Sequence, residues 1–398
     1  MEHGLFTRLP LNTDCDLANR FVLSPMVTNS STKEGKVTAA DLAYARRRAG
    51  SAPLQITGAA YVQPEGQLFE YGFSVAEDSD VPGLAALAQA MQAEGAKAVL
   101  QLTHAGRFAS HALVRNGVVY GPSHMQLHSP FPHEVKELTQ QDLDDLVEAY
   151  GQATRRAIEA GFSGVEVSSA QRLLIQTFFS TFSNHRTDRY GCGSLADRSR
   201  LGLEILERVQ AEIDQHAPAG FILGFRATPE ETRGSSIGYS IEEFLDFMEE
   251  AVRIARIDYL AMASWGHDVF RNRVRSGPHK GELVNKVVRD ALKGRVWVMA
   301  TGGINSAEKA LEALETADLV GASTPFITDP ELVQKIAAGH PEQIRLTIRP
   351  EDLQGLAIPQ AAFKDIVPLM DYGESLPASS RAVFRELEAH YEEESSCD

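Results

Sequence analysis

The sequence predicts a single-domain α/β fold, a (β/α)8 barrel of the TIM type with long loops over its C-terminal face. Three observations lead there. Eight short apolar or β-branched runs recur along the chain: RFVLSP, PLQITG, AVLQL, GVEVS, FILGFR, DYLAMA, VWVMA and ADLVG. Longer stretches of helical periodicity lie between them, so strand and helix alternate as a parallel sheet requires. Finally, 398 residues of 43% hydrophobic composition suffice to bury one large core.

In chain order, RFVLSP supplies the first strand and PLQITG the second, which the pattern from Val81 to Glu94 follows with apolar residues at three- and four-residue spacing. AVLQL leads to Leu143–Ala160, GVEVS to Leu195–Ile213, FILGFR to Ile241–Ala255, and VWVMA to Ala307–Leu314. Ser240 with Glu243 forms a capping box, and Ser194 and Ser306 offer hydroxyls to first-turn amides. The segments Phe108–Glu137 and Glu230–Gly238, rich in Gly, Pro, His and Ser, read as loops over the mouth. Barrel and C-terminal extension take residues 1–380. The charged stretch 381–398, ending HYEEESSCD, has little apolar surface and is expected to fray.

A formal charge of −16 without a basic cluster argues against nucleic acid and anionic membranes as partners. No apolar run approaches the ~18 residues of a membrane helix, and MEHGLFTRLPLNTD has neither a basic start nor an apolar core, so a cytoplasmic protein is expected. Cys15, Cys192 and Cys397 are widely spaced and form no CxxC pair, which supports neither a disulfide framework nor a cysteine metal site. A small-molecule substrate, or another copy of the chain, is the partner this composition suggests.

Several motifs carry nothing. Gly234–Gly238 matches GxSxG, but a nucleophile elbow needs a strand directly before the serine, and a charged loop stands there. His133-Glu134 lacks the second histidine of a metalloprotease helix. Asn29-Ser30-Ser31 is a glycosylation sequon without a secretory signal.

A parallel barrel binds its ligand where the strands end. The predicted ends deliver Ser24-Pro25-Met26, Gly58-Ala59, Gln101 and His104, Arg226, and Gly302-Gly303. An isoalloxazine ring needs an amide at its pyrimidine edge, suited to Gln101, and a fixed cation near N1 and O2, suited to Arg226. Two glycines let backbone amides approach a phosphate. Taken singly, the same glutamine reads equally as a loop cap, and the arginine as a partner of Glu230 or Glu231.

Together, in this order, within QITGAAYVQPEG, LQLTHAGRF, GFSGVEV and SNHRTDRYG, these residues resemble the Old Yellow Enzyme family over roughly Leu5 to Ile336. The resemblance implies a barrel that holds FMN noncovalently, is reduced by NADH or NADPH, and passes hydride to an activated alkene. By position it assigns Ser24, Pro25, Met26, Val27, Ala59, Gln101 and Arg226 to the flavin, and Gly302, Gly303, Ser323 and Thr324 to its phosphate. Family members are often dimers or larger, which makes a homo-oligomer the accompanying expectation.

Other positions depart from the family pattern. Val27 replaces a threonine or cysteine that donates toward flavin O4. Ser168 and Gln171 replace the histidine pair, or histidine and asparagine, that hold the substrate oxygen. Leu173 replaces the tyrosine proton donor, a role contributing about 10²- to 10⁴-fold. Arg172 replaces a glycine and reads either as an anchor for an anionic ligand or as a side chain reaching to solvent. Thr324 stands where the family presents arginine, so FMN is expected to bind more weakly, by roughly 1.5–3 kcal/mol. Cys192 looks like an insertion in the turn YGCGS. Ser168, Gln171, Arg172 and His267 are the substrate-pocket candidates, and Tyr61, His104 and His267 the remaining proton-donor candidates. With no assigned acid, enone, quinone or a related acceptor all stay open. The alternative is a silent family member that binds a small molecule or serves as an assembly subunit.

Overall fold

The computed structural model describes residues 4–128, 131–359 and 362–395. Eight parallel strands close into a barrel: β1 (Phe21–Leu23), β2 (Leu54–Tyr61), β3 (Lys97–Thr103), β4 (Gly164–Ser169), β5 (Ile222–Ala227), β6 (Tyr259–Met262), β7 (Trp297–Thr301) and β8 (Leu319–Ala322). Closure is direct, with Val320 of β8 opposite Phe21 and Val22 of β1 opposite Leu54. Each strand lies within one of the predicted apolar runs or overlaps it.

Helices α1 (Ala39–Arg47), α2 (Val81–Met91), α3 (Gln140–Glu159), α4 (Leu195–His216), α5 (Ile241–Ile254), α6 (Val284–Leu292), α7 (Ala307–Leu314) and α8 (Leu332–Ala337) cover the barrel. The starts follow the expected chemistry. Ser240 Oγ accepts the Glu243 amide at 3.3 Å while Glu243 Oε2 accepts the Ser240 amide at 2.9 Å. Ser194 and Ser306 accept the amides of Asp197 and Lys309. An N-terminal hairpin, Leu9–Asn12 with Cys15–Leu17, packs Leu9, Leu11, Cys15 and Leu17 against Val22, Leu54, Val99 and Ile222 inside the barrel. Fully burying each such aliphatic side chain is worth about 1.5–3 kcal/mol. The strand N-terminal end is therefore plugged with apolar side chains.

Both segments read as loops are folded. Residues 108–137 contain a helix, Ser110–Asn116, and a three-stranded sheet of Val119–Gly121, Met125–Leu127 and His133–Glu137. Buried Arg186, from the motif SNHRTDRYG, fastens this sheet by donating to the Pro122 carbonyl at 3.1 Å and the Leu138 carbonyl at 2.6 Å. Glu231–Arg233 and Ser236–Tyr239 form a hairpin whose turn includes Gly234 at φ +62°. The GxSxG match is thus a hairpin, with no strand-to-helix elbow. Asn29 is buried with its amide spent on the Tyr71 amide and the Lys364 carbonyl, so the sequon is structural.

The charged stretch expected to fray begins inside a helix. A helix runs from Ala378 to Ser395 and buries Phe384 against Phe363, ring centroids 5.1 Å apart. Ile348, Leu356, Phe363, Met370 and Phe384 build a separate cluster in this extension, and Met26 and Val27 pack against it. Arg48, which caps the C-terminus of α1 and is 1% exposed, staples it down by donating to the carbonyls of Phe326, Ile327 and Leu356 at 2.8–3.0 Å. Cys397 lies outside the described residues. No helix among them is long and apolar enough to cross a membrane.

Candidate active site

Below the mouth the barrel interior turns polar in one layer. Gln101 on β3, Glu166 on β4, Gly224 on β5 and Tyr259 on β6 stand side by side in register. Glycine is required at 224 because a Cβ there would collide with the Tyr259 ring. The Tyr259 hydroxyl donates to Glu166 Oε2 at 2.9 Å, and Gln101 Nε2 donates to Oε1 at 2.7 Å. Burial pushes the Glu166 carboxyl up, while the Arg226 guanidinium and these two hydrogen bonds pull it back. The same burial pushes Arg226 down against the attraction of Glu166. Because Glu166 takes the amide N–H of Gln101, the carbonyl oxygen is the end left to meet an imide-type donor.

Two polar atoms in this region have no hydrogen-bond partner although both are buried: Arg226 Nη1 and Ser24 Oγ. An unmade hydrogen bond of this kind costs about 1–3 kcal/mol. Ser24, just after β1, has its space because residue 321 is glycine. Ala59 lies opposite Gln101 beyond an irregularity in β2, and Gly58 lets that strand pass the Met26 carbonyl closely. Met26 and Val27 commit their side chains to the extension, so what they can offer the mouth is backbone. Pro25 between them is half-buried.

After β7, Gly302 and Gly303 both adopt left-handed φ, +86° and +85°. Side chains there would run into Val269 and Asp268. Lys309 Nζ donates to the Gly303 carbonyl at 3.1 Å and pairs with Asp268 Oδ1 at 2.7 Å. Ser323 and buried Thr324 begin the short helix Thr324–Thr328 after β8 and bring hydroxyls to this end.

The proton-donor candidates separate. His104 is buried, its Nδ1 accepts the Gly106 amide at 3.1 Å, and burial pushes the imidazole down to about 4, so it stays neutral. Burial pushes the Tyr61 phenol up, and its hydroxyl donates to the Glu34 carbonyl at 3.0 Å. His267 is 54% exposed at the rim, 3.8 Å from Asp268 and 3.9 Å from Glu374.

Across the mouth, Ser168, one residue before the end of β4, lies opposite Arg226. Gln171 and Arg172 follow with φ of +56° and +62°, a conformation costing L-residues about 1–2 kcal/mol each. Side chains hold it: Thr228 Oγ1 accepts the Gln171 amide at 3.1 Å and Gln176 Oε1 the Arg172 amide at 2.7 Å. Arg172 Nε lies 3.4 Å from Glu231 Oε1. Leu173 packs with Leu113, Val119 and Val135 of the folded lid. A cleft of about 200 Å³ opens here, walled by Gln171, Arg172, Glu230, Trp265, Arg275 and Tyr372. His267 stands outside that wall.

Sequence reasoning missed Glu166, Tyr259 and Arg107, and read Glu231 as a partner of Arg226 where the structure pairs it with Arg172 and Arg233. A lone carboxylate inside the apolar run GVEVS was the available signal for the first, since an ionisable group within a buried strand needs a partner.

The model of the NADH:flavin oxidoreductase / NADH oxidase family matches residues 4–343. An uncharacterised oxidoreductase of Streptococcus pyogenes serotype M5 is 67% identical over 390 residues, 98% of each chain. A probable NADH-dependent flavin oxidoreductase of Bacillus subtilis is 34% identical over 369 residues, 91% of this chain and 95% of that one. Among solved structures, morphinone reductase superposes with a TM-score of 0.70 at 27% identity, covering 84% of this chain and 90% of that one. The old yellow enzyme homologue of Zymomonas mobilis, 24% identical over 85% of this chain and 93% of its own, shares the fold with a TM-score of 0.70. The match over 340 residues, with the closed barrel and the polar layer at its mouth, shows that the chain belongs to the NADH:flavin oxidoreductase / NADH oxidase family.

Proposed function

We propose that the protein is an FMN-dependent NADH or NADPH oxidoreductase whose acceptor, an enone, a quinone or a related molecule, is not protonated by a side chain at position 173. The observation that carries the flavin half is the pair of unsatisfied buried atoms, Arg226 Nη1 and Ser24 Oγ, beside a Gln101 amide already oriented by Glu166. Those groups fit the acceptor-rich pyrimidine edge of an isoalloxazine. Gly302, Gly303, Ser323 and Thr324 would meet the phosphate with amides and hydroxyls, and the missing arginine removes a hydrogen bond worth roughly 1.5–3 kcal/mol.

Bound FMN supplies hydride acceptance from the nicotinamide and hydride donation to the acceptor. Arg226 would set a fixed positive charge beside the pyrimidine edge of the isoalloxazine ring, where it would favour the reduced form. Leu173 has no proton to give and is packed into the lid, while His104 and Tyr61 are committed to structural hydrogen bonds. Protonation of the product then falls to water, which suits acceptors protonated on oxygen, such as quinones, better than alkenes that must be protonated on carbon.

The test is the visible spectrum of purified protein before and after incubation with excess FMN and desalting, followed by reoxidation of NADH-reduced protein with quinones and enones. A retained flavin spectrum and faster quinone turnover are expected. A colourless protein that refuses FMN leaves the second reading, a barrel that binds another small molecule.

A further inference from the structure

The acceptor side of the mouth concentrates positive charge in a chain whose net charge is −16. Arg172, Arg273 and Arg275 wall the cleft together with Glu230 and Glu231. Arg233 and Arg172 share a single oxygen, Glu231 Oε1, at 3.3 and 3.4 Å. Arg107, in the turn after β3, is 7% exposed, and its Nε has no hydrogen-bond partner. Burial pushes Arg107 down to about 10, with Glu231 opposing and Arg233 and Arg172 reinforcing the fall. One buried carboxylate thus answers three guanidiniums, and for Arg172 and Arg233 it does so through long single contacts where a fork-to-fork pair would be shorter and stronger. Glu230 accepts the Arg275 backbone amide at 2.9 Å.

The loop that presents Arg172 is strained and braced. Two successive left-handed residues persist there because Thr228 and Gln176 hold their amides. Strain of this kind gathers at ligand clamps. Arg172 is 41% exposed at its side chain, so the guanidinium meets the cleft.

We infer that the acceptor carries a carboxylate, and that Arg172, with Arg275 beside it and the Arg107–Glu231–Arg233 group behind it, anchors that carboxylate in the cleft between the outlets of β4 and β6. The inference rests on the oxidoreductase reading for the role of the ligand, not for its charge. A planar guanidinium fork matches a carboxylate. A cleft of about 200 Å³ is smaller than the ~300 Å³ at which drug-sized pockets begin, which suits a short acid better than a dinucleotide diphosphate. Trp265 and Tyr372, ring centroids 6.2 Å apart, add aromatic surface for the rest of such a molecule.

The test is calorimetric titration of FMN-loaded and FMN-free protein with 4-oxopent-2-enoate and with its methyl ester, at low and high salt. The acid should bind about tenfold or more tighter than the ester, an advantage that shrinks as salt screens it. Arg172→Gln should remove about tenfold of acid affinity and leave the ester within about twofold, with Arg172→Lys intermediate. Equal binding of acid and ester by flavin-loaded wild-type protein overturns the inference and leaves the oxidoreductase reading standing. So does an Arg172→Gln variant that weakens NADH binding while acid affinity holds, since the guanidinium would then serve the nicotinamide phosphates. Acid preference in a protein that never retains FMN supports the anion site and removes the oxidoreductase reading. If Arg172→Gln does not fold, the salt dependence of the wild-type acid-to-ester ratio decides.

Discussion

On one side of the mouth, Gln101, Glu166 and Tyr259 form a polar layer fixed by strand register, with Arg226 two residues beyond it on β5; on the other, Gln171, Arg172 and Leu173 lie on a loop held by side-chain hydrogen bonds. The first side holds the residues that the resemblance would give to a flavin, and the second holds Ser168, Gln171 and Leu173 where the resemblance would place a histidine pair and an acid. The contrast teaches where a barrel can change its chemistry. Gln101, Glu166 and Tyr259 are hydrogen-bonded to one another, so replacing one leaves a buried donor or acceptor unpaired, at about 1–3 kcal/mol. A loop residue beyond the strand end can change with a local adjustment only.

The strongest way to break this contrast is to convert the second side. Leu173→Tyr combined with Ser168→His should raise enone turnover of FMN-loaded protein by about 10²- to 10⁴-fold in steady-state assays. Because Leu173 is packed against the lid, the larger ring is expected to cost about 1–3 kcal/mol of stability, read as a lower melting temperature. Unchanged turnover in a flavin-loaded variant would remove the missing acid as the explanation.

His104, on the flavin side, tests whether that layer is tuned to stay neutral. Its folded value of about 4 lies below the ordinary 6.5, so its contribution to stability is complete above about pH 6.5 and is lost as pH falls through 4. Asp258, pushed up to about 6 chiefly by burial, titrates in the same window with the opposite sign. Comparison with His104→Gln isolates the histidine. The difference in unfolding free energy between wild type and variant, from denaturant titrations, should shrink by about 3 kcal/mol between pH 7 and pH 4.

The phosphate end sharpens the contrast further. Thr324→Arg should tighten FMN binding by roughly 1.5–3 kcal/mol, about one to two decades in Kd by fluorescence titration. No change would mean that amides and hydroxyls already suffice. The smallest expected effect has two signs: Ser24→Ala should stabilise the FMN-free protein by about 1 kcal/mol, because an unpaired buried hydroxyl disappears, and weaken FMN binding by a similar amount. A loss in both measurements would show that Ser24 already has a structural partner.

The eight strands were legible because buried parallel strands read as short apolar runs. The polar layer was not, since a run such as GVEVS does not show that Glu166 will meet Gln101 and Tyr259 across two interfaces. Gln101 and Arg226 were visible only because they stand at strand ends. The lid was misread as a loop since strands of three to five residues carry too few alternations to register. In the tail, the acidic end hid Val383, Phe384 and Leu387, which face the extension's own cluster. Met26 and Val27 look like mouth residues in sequence, and nothing local announces the helix that claims their side chains. At Arg172 the chemistry was legible and the direction was not, because its orientation depends on Thr228, Gln176 and Glu231, far along the chain.

The staple at Arg48 bears on how this molecule can move. Peeling the C-terminal extension from the barrel would separate a fully enclosed cation from the Leu356 carbonyl and disturb those of Phe326 and Ile327. No aqueous route takes over their role while the guanidinium stays enclosed. Opening is therefore a rare, sub-global event, closer to partial unfolding than to loop breathing. Tyr372, which the extension places on the cleft, is thereby held in a wall that it shares with Trp265 and the strained Gln171–Arg172 loop.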